Sequence, residues 1–270
     1  MAEHLLEVRN LSVRFHTAQG VVNAVNDVSW HLDPGETLAI LGESGSGKSV
    51  SSSAIMNLID CPPGEITQGE IFFDGIDLLK ASDEQRRALN GKRIAMIFQD
   101  PLSHLNPVYT VGWQIAETLT AHGRPDQMAR DRALELVRRV GIPNPEQAMK
   151  KYPHQFSGGQ RQRLMIAMAL GLKPDILIAD EPTTALDVTT QLQILKLIEE
   201  MQERHGTAVL FITHDMTVVS YLAHDIAVMY LGRIVESGPA ERILRAPKHP
   251  YTQALLAAVP KLGEMTGKPY

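Results

Sequence analysis

The stretch Gly42-Glu43-Ser44-Gly45-Ser46-Gly47-Lys48-Ser49 meets the spacing G-x-x-x-x-G-K-[ST] at every constrained position. Its chemistry is phosphate binding. Gly42, Gly45 and Gly47, with Ser44 among them, let the backbone curl so that several N–H groups point inward at phosphate oxygens. A helix opening directly behind the loop adds its own free N–H groups. Lys48 would reach the β- and γ-phosphates of a nucleotide, and the Ser49 hydroxyl would ligate Mg²⁺. The bland alternative is a Gly/Ser-rich loop that binds nothing. A second stretch argues against it. Ile176-Leu177-Ile178-Ala179-Asp180-Glu181 is an apolar strand ending in adjacent carboxylates, and strand ends beside a phosphate loop are where ligands sit in open α/β sheets. Asp180 would be a second anchor for Mg²⁺. Glu181 would orient or deprotonate an attacking water.

Two further polar residues, Gln99 and His214, each follow an apolar strand. Both suit the sensing of a γ-phosphate or its water, and both are equally plain strand caps. Phe156-Ser157-Gly158-Gly159-Gln160-Arg161-Gln162-Arg163 is a polar turn running straight into a helix, again an anion site by geometry. One chain with two such turns suggests two subunits sharing nucleotides.

The elements that must position these residues read as follows. Leu6, Val8, Leu11, Val13 and Phe15, then Val28, Trp30 and Leu32, repeat every second residue, as strands of a largely antiparallel sheet with one buried face do. Thr37–Leu41 is a buried strand before the phosphate loop, and a helix is predicted over Val50–Ile59. Gly69–Leu79 is a hairpin turning at Asp74-Gly75, and Ser82-Asp83-Glu84-Gln85 resembles a capping box. Arg93–Phe98 is a buried strand. From 100 to 156 hairpins give way to helical pattern, with helices over Val111–Ala121 and Gln127–Val140, the latter closed by Gly141. Strands and helices then alternate: a helix over Gly158–Leu170, strands over Asp175–Ala179 and Ala208–Thr213 around a helix at Thr189–Arg204, and a helix at Met216–Ala223. A hairpin around Gly232 and two short helices introduced by Pro239 and His249-Pro250 follow. The expected fold is α/β with a mainly parallel sheet.

The chain has 270 residues, a formal net charge of -5 and a charged fraction of 21%. That length suits one large domain or a core with a smaller lobe. The charge balance gives no support for a nucleic-acid partner, and none is expected. A single cysteine, Cys61, excludes an intrachain disulfide framework. MAEHLLEV is not a secretory signal, and no apolar run approaches the length that spans a bilayer. Any membrane contact is therefore expected to run through a partner.

The whole set resembles the ATP-binding subunit of an ABC transporter, over nearly the full chain. Ser157 to Gln160 match the LSGGQ signature, with Phe156 where leucine is commonest. By that resemblance Asp180 is the Walker B aspartate, Glu181 the catalytic glutamate, Gln99 the Q-loop glutamine, Asp187 the D-loop aspartate and His214 the switch histidine. Catalysis then falls to Glu181, His214 and Gln99, and the metal to Ser49, Gln99 and Asp180. Ser157, Gly158, Gly159, Gln160 and Asp187 join the nucleotide from a second subunit, and Phe15 falls near the aromatic that stacks on adenine. The implied fold is a P-loop NTPase core of residues 1–99 and 157–240 carrying an antiparallel β-subdomain. It has a helical subdomain inserted over 100–156 and a C-terminal helical extension over 241–270.

Gly42–Val50, Phe98-Gln99-Asp100-Pro101 with Leu105-Asn106-Pro107, Tyr152–Gly159 and His249-Pro250-Tyr251-Thr252-Gln253-Ala254-Leu255-Leu256 are similar to the peptide/nickel importer ATPases. That group often carries a later cysteine cluster for iron–sulfur. With Cys61 alone this chain is expected either to be truncated or to lack the cluster. The resemblance implies ATP and Mg²⁺, a second ATPase subunit identical or paralogous, two integral-membrane permease subunits and, indirectly, a solute-binding protein. It implies a place on the cytoplasmic face of the cell membrane. The permease contact is expected through Leu102, Leu105, Pro107, Val108 and Tyr109. Nickel or glutathione are alternatives to peptide as solute. The rival classes are a soluble ABC-type ATPase of nucleic-acid repair or translation, which favours paired nucleotide modules, a coiled-coil insert or a basic groove, and a phosphate-loop kinase, which leaves Ser157–Gln160 unexplained.

Overall fold

A computed structural model describes residues 4–100, 104–183 and 186–258. Among them lie two sheets. The first is antiparallel, in the order β2-β1-β4-β5, built from β1 (Leu6–Thr17), β2 (Gly20–Leu32), β4 (Gly64–Phe73) and β5 (Ile76–Asp77). Its alternation follows the sequence: Leu6, Val8, Leu11 and Val13 are buried, as are Val28, Trp30 and Leu32. Asp74-Gly75 makes the turn between paired Phe73 and Ile76.

The second sheet runs β10-β9-β3-β8-β7-β6. Here β3 (Thr37–Leu41), β6 (Ile94–Ile97), β7 (Ile176–Asp180), β8 (Ala208–Thr213) and β9 (Asp225–Tyr230) are parallel neighbours, and β10 (Arg233–Pro239) closes one edge antiparallel to β9. A parallel sheet covered on both sides needs strands that are apolar throughout. Ile176 and Ile178 enter the core shared with the antiparallel sheet, whereas Leu177 and Ala179 enter a core on the other face. In β8 the split repeats, with Leu210 and Ile212 on one side and Val209 and Phe211 on the other.

The helices follow their caps. α1 spans Lys48–Met56, starting two residues earlier and ending three earlier than its apolar pattern suggests. Gly47, left-handed at φ 100, is its N-cap, so Lys48 and Ser49 already belong to the first turn, and left-handed Asn57 stops it. Ser82 and Gln85 form the expected capping box on α2 (Asp83–Leu89). In the stretch expected to be helical lie α3 (Val111–Thr120), α4 (Asp126–Arg139) and α5 (Pro145–Ala148). Beyond them come α6 (Gly158–Ala169), α7 (Val188–His205), α8 (Met216–Leu222), α9 (Ala240–Arg245) and α10 (Pro250–Ala257). Ile115, Leu119, Ala133 and Val137 of α3 and α4 share one apolar cluster with Leu164 of α6, Ile198 of α7 and Leu177 of the sheet. Leu105 is 3% exposed and belongs to the interior, not to the surface expected of it. It is followed by Asn106-Pro107, whose turn is held by Gln114: its Oε1 accepts from Asn106 N–H, and its Nε2 donates to the Asn106 and Tyr109 carbonyls. Leu102 lies outside the described residues.

Candidate functional site

Strand register brings the predicted residues together. β3, β6, β7 and β8 run parallel, with Leu41 opposite Thr213, Asp180 opposite Ile212 and Ile97 opposite Ala179. Gly42, Glu181 and His214, the next residues along their strands, and Gln99, two residues beyond Ile97, therefore line the carboxyl edge of one sheet.

Gly42 and Gly47 are required by close approach. A side chain at Gly42 would lie 2.2 Å from the Met229 carbonyl oxygen, and one at Gly47 2.2 Å from that of Ala24. The loop is thus wedged between β9 and the β1–β2 hairpin. Gly232 N–H donates to the Ser46 carbonyl at 3.0 Å, a third anchor. Lys48 is 5% exposed. Its ammonium donates to the carbonyls of Gly42 at 2.8 Å and Glu43 at 2.7 Å. Burial pulls its pKa below the usual lysine range, against the attraction of Glu181, Asp180 and Glu43. Ser44 and Gly45 are exposed on the loop's outer turn.

The hydroxyl of Ser49, in the first turn of α1, faces the Asp180 carboxylate and opposes the rise of its pKa. Asp180 is 4% exposed, and burial raises its pKa above the ordinary carboxylate value. Its Oδ1 is buried with no hydrogen-bond partner. A hydroxyl and a carboxylate with a free, buried oxygen form an all-oxygen donor pair of the kind Mg²⁺ takes.

Glu181 follows Asp180 with its backbone in the left-handed region at φ 46, its N–H donating to the Ile212 carbonyl at 2.8 Å. Gln99 Nε2 donates to its Oε2 at 3.0 Å, and His214 Nδ1 lies 3.3 Å from its Oε1. The two polar residues that the sequence left as sensors or strand caps thus converge on one carboxylate. Gln99 and His214 are themselves exposed, which leaves their remaining polar atoms open to solvent or ligand.

The second turn is of another kind. Ser157 Oγ accepts from Gln160 N–H at 3.3 Å and Gln160 Oε1 from Ser157 N–H at 3.0 Å, a reciprocal capping box on α6. Phe156 is buried as the leucine it replaces would be, whereas Ser157 and Gly158 are exposed. Asp187 caps α7, accepting from Thr190 N–H at 3.0 Å and from its hydroxyl at 2.7 Å, which lowers its pKa. Phe15 is half-buried and pairs with Val22. Its ring thus lies on the hairpin whose Ala24 abuts the phosphate loop. Sequence reading noted Tyr251 only within the run His249–Leu256 and gave it no place at the loop, yet its hydroxyl accepts from the Glu43 N–H at 3.1 Å. Separated from the loop by most of the chain, that contact leaves no local signal.

Comparison with known proteins agrees with this geometry. The sequence profile of ABC transporters matches residues 25–184, and that of the oligopeptide/dipeptide transporter C-terminal region matches residues 235–269. The oligopeptide transport ATP-binding protein OppD of Bacillus subtilis (strain 168) is 54% identical over 96% of this chain and 72% of its own. The dipeptide transport ATP-binding protein DppD of Escherichia coli (strain K12) is 51% identical over 96% of this chain and 80% of its own. The ATP-binding cassette MJ0796, solved as a dimer in a post-hydrolysis state bound to ADP and Pi, superposes with a TM-score of 0.79 at 28% identity. The match spans 87% of this chain and 98% of that one. With its phosphate loop, carboxylate pair and signature turn on one such cassette, the chain belongs to the ABC transporter family.

Proposed function

We propose that the chain is the ATP-hydrolysing subunit of an importer that takes up small peptides. The ATPase part of this reading is carried by the convergence of Gln99 and His214 on Glu181, beside Ser49, Asp180 and the phosphate loop, and the peptide part is supported by the likeness to oligopeptide and dipeptide transport ATP-binding proteins. The loop's N–H groups and Lys48 bind the ATP phosphates. Ser49 and Asp180, with Gln99 at the edge, would hold Mg²⁺, which would supply positive charge to offset that of the phosphates. Glu181 orients and polarises the attacking water, and His214 and Gln99 hold Glu181 and the γ-phosphate in line. Ser157, Gly158, Gly159 and Gln160 close the site from a second copy or a paralogue, with Asp187 at the same interface, and Phe15 stacks on the base. Donors on both sides of the γ-phosphate then meet the charge that develops as its bond breaks.

Among the described residues no helix is long and apolar enough to cross a membrane. Work therefore leaves the protein through contact with two permease subunits, the chain lying on the cytoplasmic face and a solute-binding protein delivering the peptide outside. A groove of about 310 Å³ between sheet and helical lobe is lined by Met56, Phe98, His104, His122, Met165 and Met168, one residue away from Gln99. In the same helical lobe Val108 (69% exposed), Tyr109 and Trp113 stand at the surface, the two rings stacked 4.1 Å apart. A permease segment seated there would feel any shift of Gln99.

Glu181→Gln tests the reading. It retains the shape but loses the charge, so turnover of the assembled complex falls by roughly a hundredfold or more while an ATP-dependent dimer persists on size exclusion. Turnover like the wild type with no such dimer overturns it. Cysteines at Val108, Tyr109 and Trp113 that crosslink to the permease confirm the coupling surface, and none doing so in a transporting complex removes it.

A further inference from the structure

The C-terminal segment reaches back to the phosphate loop, and nothing in the mechanism above uses that contact. α10 packs through Tyr251, Leu255 and Leu256 against an apolar cluster that contains Leu41, the residue preceding the loop, and Val228. Its start is fixed by Glu236 of β10, a buried carboxylate that accepts from the N–H groups of Lys248 at 2.9 Å and His249 at 3.0 Å. Burial alone would raise that carboxyl, yet the two backbone donors hold it below its ordinary value, so it stays ionised and grips the turn. His249 then caps α10 by accepting the Tyr251 N–H at 3.1 Å. The Tyr251 ring lies against Tyr230, centroids 4.2 Å apart, and Tyr230 opens the β9–β10 turn whose Gly232 N–H bonds the Ser46 carbonyl. The cap and the ring contact hold the tyrosine in place, and its hydroxyl meets the Glu43 N–H at 3.1 Å.

The Gly42 carbonyl and the Glu43 N–H belong to the same planar peptide unit and point in opposite directions. One end of that unit accepts from the Lys48 ammonium at 2.8 Å, and the other donates to Tyr251. We propose that Tyr251 is a positioning residue of the phosphate loop: its hydroxyl sets the peptide plane that steers Lys48, and so couples the C-terminal segment to nucleotide affinity. Without the hydroxyl the Gly42–Glu43 unit loses one of the two bonds that fix its plane, and Lys48 alone then holds it against rotation about flanking bonds that glycine leaves soft. The loop must then be ordered at the moment of binding, at a cost in affinity. Once nucleotide is bound its phosphates fix the loop, so turnover at saturation is unchanged. A partner or modification that shifts α10 would change the ATP concentration at which the subunit works, not its maximal rate.

The inference rests on the ATPase reading, and the experiment separates the two. Tyr251→Phe removes one oxygen and keeps the ring against Tyr230. Tyr221→Phe, which loses a hydroxyl bonded to Glu199 away from the site, is the control. MgADP affinity is measured by calorimetry on the isolated chain, and KM and kcat for ATP on the assembled complex. Tyr251→Phe should raise both Kd and KM by roughly threefold to tenfold, the worth of one neutral hydrogen bond, with kcat within about twofold of the wild type. Glu236→Gln, which loosens the grip on α10, should move Kd and KM the same way by less, and it decides the matter if Tyr251→Phe fails to fold. Wild-type Kd and KM in both variants, or a loss falling on kcat alone, overturns the positioning role while leaving the ATPase intact. A wild-type chain that binds no MgADP and hydrolyses no ATP overturns both.

Discussion

Two serine–glycine turns in this chain run into helices, and they are built in opposite ways. The phosphate loop is enclosed. Its glycines press on the Ala24 and Met229 carbonyls, its lysine is buried, and Gly232 and Tyr251 hold it from outside. The turn at Ser157 is open. Its side-chain bonds close on one another, and a side chain added at Gly158 would meet nothing within 4 Å. The parts of the cradle that the fold pins, Gly42, Gly47 and Lys48, all come from one chain, while Ser44 and Gly45 face outward. A rigid turn with a bare outer face is what half of a shared site requires, as proposed above. On that proposal the same local chemistry, a helix start with small residues, would serve as a pocket in one place and as an interface in the other because of what the fold puts around it.

The largest effects come from exchanging those roles. Lys48→Ala removes two charge-assisted contacts from the enclosed loop, and nucleotide affinity of the isolated chain should fall by at least about a hundredfold. Ser157→Arg should leave that affinity within about twofold, yet cut turnover of the assembled complex by more than about a hundredfold as a bulky cation blocks the second face. Titration of isolated subunits with MgATP decides this. Equal loss of affinity in both variants would mean that both turns serve the same chain.

A single methyl group sharpens the contrast. Gly47→Ala forces a side chain onto a φ of 100 and against the Ala24 carbonyl, so denaturant unfolding should show a loss of about 3 kcal/mol. Gly158→Ala, at the first position of α6, should alter stability by no more than about 0.5 kcal/mol while lowering turnover at least about tenfold. Stability lost at Gly158 would show that the turn is covered within its own chain.

The smallest effect concerns two carboxylates, one buried at the end of β7 and one exposed at the start of α7. Burial raises the pKa of Asp180 above its unfolded value. Its protonated form therefore favours the fold below the unfolded pKa, and that contribution is lost as pH rises through the folded pKa. Asp180→Asn removes the buried charge, so without Mg²⁺ Tm should rise by roughly 2–4 °C at neutral pH and by nothing at acidic pH. Asp187 has the opposite sign. Its bonds to Thr190 lower its pKa, so it stabilises above the unfolded pKa and loses that contribution as pH falls through the folded value. Asp187→Asn should lower Tm at neutral pH. Calorimetric scans across pH check both, and equal signs would refute the assignment of one to an interior and the other to a surface.

Most of the site was legible because it is written in short runs. The loop, the carboxylate pair, the capping boxes at Ser82 and Ser157 and the strands at Thr37–Leu41 and Ala208–Thr213 each depend on neighbours a few residues away. What stayed hidden depends on pairings over long separations. Period alone could not show that α1 begins at Lys48, since the left-handed backbone of Gly47 decides it. Leu105 sits between polar and proline residues and looks like surface, yet tertiary packing buries it. Tyr251 and Glu43 meet only because α10 folds across the β9–β10 hairpin. The convergence of Gln99 and His214 needed the strand register, which composition does not carry.

Glu181 holds a backbone conformation, φ 46, that glycine or asparagine adopts far more readily than a residue with a long side chain. On the role proposed for it, the protein tolerates that because the residue would stand where chemistry needs a carboxylate, at a conformational cost of order 1 kcal/mol or more. Selection acting on stability alone would therefore drive this position away from glutamate. Glutamate persists at 181 only as long as turnover is under selection, so a descendant of this gene freed from that demand should lose its carboxylate there early, while the phosphate loop, whose glycines the fold itself requires, endures.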